Sequence, residues 1–391
     1  MSVKKRIAVI TATRAEYGSL CPLIRELRGY ESSSFVVDLI VTGTHLSEKF
    51  GHTVDEIKKD RLRIDYEISI PVESRSELDI STNQAATLIE FTKHFLKIKY
   101  DAVIILGDRY EILSVAIAAG NTKTPVFHIA GGDTTEGALD EWIRHSVSKI
   151  SYLHFTTNDE SRRRVLQLGE NPEHVYNTGS LSIDNILSLE KMSKEEALSS
   201  IGLDNCRYVI CTYHPVTTKK EDVRNQMNAF LEVIKSHSEL EFIVTKANSD
   251  CGGEIINQML EEAEASIGNL HVFASLGNKR YLSLMANAEF VLGNSSSGII
   301  SAPALGVPTV NIGDRQKGRL RALSIIDCKE DVDSIMLAID KAQSEEFKAS
   351  LSLGRCPYGD GHAAEKIAKI VVDTVLNTDI DLKKKFFMLE D

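Results

Sequence analysis

Short apolar runs recur along the chain, each ending in a polar or glycine-rich turn and followed by a stretch with helical spacing. Residues 5–11 (KRIAVIT), 101–106 (DAVIIL), 125–129 (PVFHI), 208–212 (YVICT) and 309–312 (TVNI) are the clearest of them. Runs that are apolar at nearly every position, rather than at every second one, belong to strands covered on both faces. Such strands occur in parallel sheets flanked by helices on either side. Further strands are expected at 35–42, 65–70, 152–156, 241–245, 270–274 and 290–292. Helices are expected around 20–27, 78–96, 110–120, 162–168, 280–287, 332–342 and 363–376. Two successive arrays of this kind define an α/β chain with two Rossmann-like doubly wound domains. Residues 178–185 read as turn-rich and 193–203 as polar helix and loop. The expected division is therefore 1–180, 181–365 and a C-terminal helix and tail over 366–391.

With 391 residues, 42% of them hydrophobic, the chain can bury two cores. No apolar stretch is long enough for a signal peptide or a membrane span, so a cytoplasmic location is expected. The six cysteines are scattered without a CxxC, which argues against a disulfide framework and a structural zinc. Neither a metal nor a cofactor is expected. A net charge of −11 makes nucleic acid a poor partner. An anionic ligand would have to be held by a few placed arginines against the average field.

Residues 293–319 read GNSSSGIISAPALGVPTVNIGDRQKGR. Strand, serine-glycine turn and helix aim backbone N–H groups and a helix dipole at an anion. A plain N-capped helix would look the same. Ser295, Ser296 and Gly298 are candidates here, with Arg315 in the basic turn beyond. The first strand opens onto TATRAEYGS, where a dinucleotide site would carry GxGxxG; without it a nicotinamide cofactor is not supported. Arg14 in that turn is placed to reach an anion, or is a surface arginine. The run 101–106 ends in Gly107-Asp108-Arg109, a carboxylate and a guanidinium at the carboxyl end of a strand, where ligands bind in this architecture. An Asp–Arg helix cap is the alternative. After 125–129 comes AGGDTTEG with Asp133 and Glu136, and then a helix carrying Asp140, Glu141, Arg144 and His145 at four-residue spacing. His214 follows the run 208–212, as ligand contact or as a packing histidine, and Asn248 follows 241–245.

With both halves laid out, the chain resembles the UDP-N-acetylglucosamine 2-epimerase family, closest to the hydrolysing branch that makes N-acetylmannosamine for sialic acid synthesis. The resemblance runs in order through TRAEYG at Thr13, VTG at Val41, LGDRYE at Leu106, HIAGGDTTEGALDEWIRHSVSK at His128, HPVTT at His214, NSSSG at Asn294 and NIGDRQKGR at Asn311. It implies a GT-B-type fold with a cleft between the domains, no metal in the chemistry, UDP mainly on the second domain and the sugar facing the first. It further implies that Arg14, Ser19, His214, Ser295 and Ser296 lie near the diphosphate, and that Arg109 and Arg315 are cleft arginines. Leu276 and Tyr281 fall where the family places its uracil pocket. Asp108 and Asp140 match the catalytic carboxylates, with Asp133, Arg144 and His145 around them; Glu136, Asn248 and Gly298 complete the substrate-binding set, and His214 joins the catalytic one.

Two positions depart from the pattern. Some relatives have an acidic residue at Ala130, and related sequences carry a ribose-binding glutamate at Ser301. The implied reaction is loss of UDP by anti-elimination to a 2-acetamidoglucal, followed by hydration. A hydrolysing epimerase for a UDP-2,4-diacetamido-2,4,6-trideoxyhexose, a non-hydrolysing epimerase, a GT-B glycosyltransferase and an inactive sugar-nucleotide-binding protein are the competing readings. A homodimer or homotetramer built through the first domain is implied, with the helix over 78–96 as a candidate surface.

Overall fold

The structure is a computed structural model that describes residues 4–48, 51–73, 76–134, 139–215, 223–247, 253–351 and 356–389. The chain forms two compact units, Met1–Asn185 with Tyr358–Asp391, and Ile186–Pro357.

The first unit holds a parallel sheet of seven strands: β1 (Lys5–Thr11), β2 (Phe35–Thr42), β3 (Tyr66–Ile68), β4 (Ala102–Leu106), β5 (Val126–Ile129), β6 (Leu153–Thr156) and β7 (Val175–Asn177). Their order across the sheet is β3-β2-β1-β4-β5-β6-β7. Side chains of successive strand residues point to opposite faces, and β1 feeds two cores accordingly. Ile7 and Val9 pack on one face with Leu20, Leu23 and Leu27 of the Arg14–Gly29 helix. Ala8 and Ile10 pack on the other with Phe91 and Phe95 of the Glu77–Lys97 helix and Ile112 and Val115 of the Tyr110–Asn121 helix. Both faces are covered, which is why the strand is apolar from Ile7 to Ile10.

The second unit repeats the plan with six parallel strands: β8 (Tyr208–Thr212), β9 (Glu241–Thr245), β10 (Leu270–Phe273), β11 (Val291–Gly293), β12 (Thr309–Ile312) and β13 (Ile325–Cys328), in the order β10-β9-β8-β11-β12-β13. In each sheet the order reverses at one place, between β1 and β4 and between β8 and β11. The crevice beyond the carboxyl ends of such a pair is where open α/β sheets bind ligands. These are two Rossmann-like units of the GT-B type, as the sequence predicts.

The division of the chain differs from expectation at both ends of the second unit. Residues 181–185 and 358–365, expected with the C-terminal domain, belong to the first unit, and so does the Ala363–Asn377 helix. The reason is burial. Ile367, Ala368 and Val371 of that helix enter the same core as Leu20 and Leu23. Asp184 caps its start, accepting from the Ala364 and Ala363 amides at 2.7 and 3.1 Å. The stretch read as turn-rich is in fact the Leu181–Ser188 helix, with Leu181, Ile183 and Ile186 buried. Among the described residues no helix is long and apolar enough to cross a membrane.

Candidate active site

In the first unit the chain leaves β4 through Gly107, which has a positive φ of 83°, and presents Asp108 and Arg109. Arg144, from the Leu139–Ile150 helix, grips Asp108 with two nitrogens. Nε donates to Oδ2 at 2.8 Å and a terminal nitrogen approaches the same oxygen closely. The other terminal nitrogen donates to the Asp133 carbonyl at 2.7 Å and to Glu141 Oε2 at 3.2 Å. Only 4% of the Arg144 side chain is exposed, so this guanidinium joins the carboxyl ends of β4 and β5 to one helix. Glu141 also lies 3.3 Å from His145 Nε2. Asp140, one helical turn before Arg144, is exposed. Partial desolvation, and next the charge of Asp108, push its carboxyl above the ordinary value, against the pull of Arg109 and Arg144.

The loop after β5 is shaped by its glycines. A Cβ on Gly131 would stand 2.7 Å from Ser148 Oγ, and one on Gly132, where φ is 82°, would stand 2.1 Å from the Ser161 carbonyl. Ala130 itself has a φ of 65°, a conformation L-residues other than glycine seldom adopt. The chain thus passes close beneath its neighbours and delivers Asp133. There the structure adds a detail the sequence reading lacks: Asp133 Oδ1 accepts from Thr157 Oγ1 at 2.8 Å and Ser161 Oγ at 2.5 Å. Asp108, Arg144, Glu141 and the Asp133 backbone form one hydrogen-bonded group, whereas the Asp133 carboxylate is oriented by hydroxyls of Thr157, just after β6, and Ser161, in the Asp159–Gln167 helix. Glu136 lies outside the described residues.

Arg14 begins the helix that follows β1. Its side chain is 60% exposed and its Nε lies 3.2 Å from Glu56. Ser19, one turn on, shares a 3.1 Å hydroxyl contact with Ser182. Arg109 Nε donates to Glu111 at 2.7 Å, an acid the sequence reading did not single out.

In the second unit the organising residue is Asn294, fully buried at the end of β11. Its side chain clasps the backbone after β8. Oδ1 accepts from the His214 amide at 2.7 Å, and Nδ2 donates to the His214 carbonyl at 2.8 Å. Its own carbonyl accepts from Gln316 Nε2 at 2.8 Å and from Arg315 at 3.3 Å. One residue, through its side chain and its carbonyl, therefore sets His214, Arg315 and the start of the Ser296–Ala304 helix in fixed relation. Ser295 is the N-cap, accepting from the Ser297 amide at 3.4 Å and the Ser297 hydroxyl at 3.1 Å. Helix N-termini of this kind, with free N–H groups and the positive dipole end, hold anions.

Three expected contacts have packing roles in this structure. Gly298 is buried; its carbonyl accepts from Thr309 Oγ1 at 2.8 Å, and a Cβ there would stand 2.9 Å from Thr309 Cγ2. Leu276 is 5% exposed within an apolar cluster, and Tyr281 packs against that cluster with its hydroxyl 2.7 Å from Ser297 Oγ. Ser301 lies within the Ser296–Ala304 helix. Asn248 lies outside the described residues. Asn294, Gln316, Thr157, Ser161, Glu16 and Glu111 escaped the sequence reading, although Asn294 opens the NSSSG motif and Glu16 and Glu111 stand inside TRAEYG and LGDRYE.

The family profile described as UDP-N-acetylglucosamine 2-epimerase matches residues 28–372. A GDP/UDP-N,N'-diacetylbacillosamine 2-epimerase (hydrolyzing) of Campylobacter jejuni is 38% identical over 99% of this chain and 100% of its own length. Polysialic acid biosynthesis protein P7 of Escherichia coli is 36% identical over 97% of this chain and 96% of its own. The crystal structure of UDP-GlcNAc 2-epimerase from Neisseria meningitidis bound to UDP-GlcNAc shares the fold, with a TM-score of 0.74, 19% identity, and coverage of 94% of this chain and 100% of that one.

Proposed function

The chain belongs to the hydrolysing branch of the UDP-N-acetylglucosamine 2-epimerase family, and from there we propose that it converts UDP-N-acetylglucosamine and water to N-acetylmannosamine and UDP. The observation that carries this reading is the group at the ends of β4 and β5: Asp108 gripped by the buried Arg144, with Asp140 one helical turn away and pushed toward its protonated form. Two carboxyl groups whose environments differ are what proton removal on one face of a sugar ring and proton delivery on the other require.

The C2 proton of an N-acetylhexosamine has no carbonyl beside it, so a carboxylate cannot remove it directly. As the C1–O bond to UDP breaks, positive charge develops on the ring and the C2 proton becomes removable. Its bonding pair then forms the C1=C2 double bond of 2-acetamidoglucal while UDP takes the C1–O pair. Water next adds its oxygen to C1, and C2 receives a proton on the opposite face. We assign the proton transfers to Asp108 and Asp140, with Asp133 in support. The departing diphosphate is assigned to His214, Arg315 and the Ser295–Ser296 turn of the second unit; Arg14, Ser19 and Arg109 of the first are assigned as substrate contacts. Preorganised donors aimed at a developing anion contribute roughly 3–4 kcal/mol each in well-studied cases.

A second reading has a specific observation behind it. The Campylobacter jejuni relative acts by its name on a diacetamido sugar, so a UDP-2,4-diacetamido-2,4,6-trideoxyhexose is the alternative substrate. We also propose a cytoplasmic homo-oligomer. Leu78, Ile89 and Leu96 are exposed at near-whole turns along the Glu77–Lys97 helix, an apolar stripe suited to a second copy.

Incubation with UDP-N-acetylglucosamine in D₂O, followed by NMR, tests the reaction. Free N-acetylmannosamine carrying deuterium at C2, with one UDP per turnover, is expected. Protium retained at C2 overturns the elimination route. UDP-N-acetylmannosamine as product would indicate the non-hydrolysing reaction, and turnover of only the diacetamido substrate would reassign the sugar.

A further inference from the structure

Where β6 gives way to the Asp159–Gln167 helix, three polar side chains are buried that the reaction assigned above does not use. Thr157, Asn158 and Ser161 are 5%, 5% and 0% exposed. A buried hydroxyl or amide costs free energy unless it is paired, so the partners of these groups show what the turn serves. Asn158 is the N-cap of the helix. Its Oδ1 accepts from the Ser161 amide at 2.9 Å, and its Nδ2 donates to Thr157 Oγ1 at 2.9 Å. A threonine hydroxyl that accepts from an amide keeps its single proton for another partner. That partner is Asp133 Oδ1, 2.8 Å away, and Ser161 Oγ donates to the same oxygen at 2.5 Å.

Asp133 is therefore held at two points. Two hydroxyls converge on one carboxylate oxygen, and Arg144 takes the backbone carbonyl at 2.7 Å. The loop that carries it is pinned as well. A Cβ on Gly132 would stand 2.1 Å from the Ser161 carbonyl, and Arg164 donates to the Gly132 carbonyl at 3.2 Å. Oδ2, by contrast, accepts from none of the described residues, and the residue is only partly buried. A carboxylate with a purely structural task has donors on both oxygens, as Asp184 has from the Ala363 and Ala364 amides. In Asp133 one oxygen takes both hydroxyls and the other is left open.

We propose that Thr157 and Ser161 are positioning residues for the epimerase reaction: by holding Oδ1 they set Asp133 so that Oδ2 accepts a hydrogen bond from an N–H or O–H of the bound sugar. The inference rests on the epimerase reading and deepens it, since Asp133 has only a supporting place there. An N-acetylhexosamine offers an amide N–H and several hydroxyls, and a carboxylate oxygen is an acceptor for any of them. With both buried hydroxyls in place the carboxylate is already oriented when the sugar arrives. Without them it turns among several rotamers, and the ordering has to be supplied on binding and in the reacting geometry.

The test is a double-mutant cycle on UDP release, with kcat and KM measured on UDP-N-acetylglucosamine and on the UDP-2,4-diacetamido-2,4,6-trideoxyhexose. Thr157→Val and Ser161→Ala should each lower kcat/KM about tenfold, the low end for one hydrogen bond to a charged group. Thr157→Ser keeps the hydroxyl and should recover most of that loss. Asp133→Ala should lower kcat/KM by at least as much. In the Asp133→Ala background Thr157→Val and Ser161→Ala should change it by less than about twofold, because the oxygen they hold is gone. A turn that only stabilises the fold would show the same losses with or without the Asp133 carboxylate. Losses that persist in full in the Asp133→Ala background, or wild-type kcat/KM in either single variant, overturn the proposal; one variant decides it if the other does not fold. Wild type that releases UDP from neither sugar nucleotide would overturn the epimerase reading and this proposal with it, whereas full additivity in an active enzyme overturns this proposal alone.

Discussion

Replacing Arg144 by lysine keeps a positive charge and removes the fork, and the structure says what that should cost. Arg144 donates to Asp108 through two nitrogens, to the Asp133 carbonyl at 2.7 Å and to Glu141 at 3.2 Å. A single ammonium on a flexible stem cannot span all of these acceptors in one geometry. Hydrogen bonds to charged groups are each worth about 1.5–3 kcal/mol. If lysine recovers the Asp108 charge pair but one such bond in the reacting geometry is lost, kcat falls about 10–10²-fold. The Asp133 carbonyl, left without its donor, costs about 1–3 kcal/mol of stability. Release of UDP at saturating substrate measures the first quantity and thermal unfolding the second. Lysine at 144 with kcat within about twofold of wild type would show that the fork orients nothing in the reaction. A lowered melting temperature with unchanged kcat would reduce Arg144 to scaffolding.

Three further outcomes are expected. Asp108→Asn should cut turnover about 10²-fold or more while the protein melts normally, by the usual size of a general acid or base contribution; near-normal turnover removes Asp108 from the chemistry. Asn294→Ala strips both hydrogen bonds from the His214 backbone and should cost about 2–4 kcal/mol, measured by urea unfolding, with weaker UDP binding; unchanged UDP affinity would detach His214 from the leaving group. The third concerns Glu170, which is 2% exposed and hydrogen-bonded by His154, Lys149 and, from the C-terminal tail, Lys384. Desolvation is the largest single influence on it and acts upward, but these three donors together hold its carboxyl down to about 2, against an ordinary 4.5. A depressed acid contributes stability above its unfolded value and loses it as pH falls through the folded one, so this contribution fades from about pH 4.5 toward 2. Lys384→Met should lower the melting temperature at pH 7 and shrink the difference between pH 7 and pH 3; an unaltered difference would mean the tail lysine does not hold Glu170.

What could be read without coordinates follows from burial. β1, β4, β5, β8 and β12 are interior strands buried at nearly every position, so their largely apolar runs announce them. β7 and β13 are edge strands, VYN and IIDC, each with one buried residue, and nothing in so short a run separates them from loop. The 363–376 pattern shows that a helix has an apolar stripe but not which sheet will cover it, and the stripe in fact closes over the first unit. Asp108, His214 and Ser295 can be picked out as candidates because polar residues at the carboxyl ends of central strands stand out against apolar neighbours, and Asp140 and Arg144 because their helix follows a glycine loop at such an end. Ala130, with a left-handed backbone between a strand and two glycines that cannot carry a Cβ, reads in sequence as an unremarkable alanine.

The residues that sequence could not reveal share one physical role, and both units use it. In the first, His128 at the end of β5 is fully buried; its Nε2 lies 2.8 Å from the Gly107 carbonyl, immediately before Asp108. A carbonyl only accepts, so Nε2 carries the proton and Nδ1 is left to face Ser148 Oγ at 3.2 Å. Burial drives the imidazole down to about 3, so it is neutral near pH 7 and keeps that tautomer. In the second unit Asn294 does the same for the backbone at His214. In each case a buried polar side chain at one strand end fixes the main chain beyond the neighbouring strand, just before the candidate Asp108 in the first unit and at the candidate His214 itself in the second. Such a residue cannot be told from a satisfied core histidine or an N-terminal asparagine of a turn until the strand order is known, because its partner lies 21 residues away in one case and 80 in the other. The candidate side chains can be read because their chemistry is unusual. Their supports cannot, because their chemistry is ordinary and only the sheet order makes them adjacent.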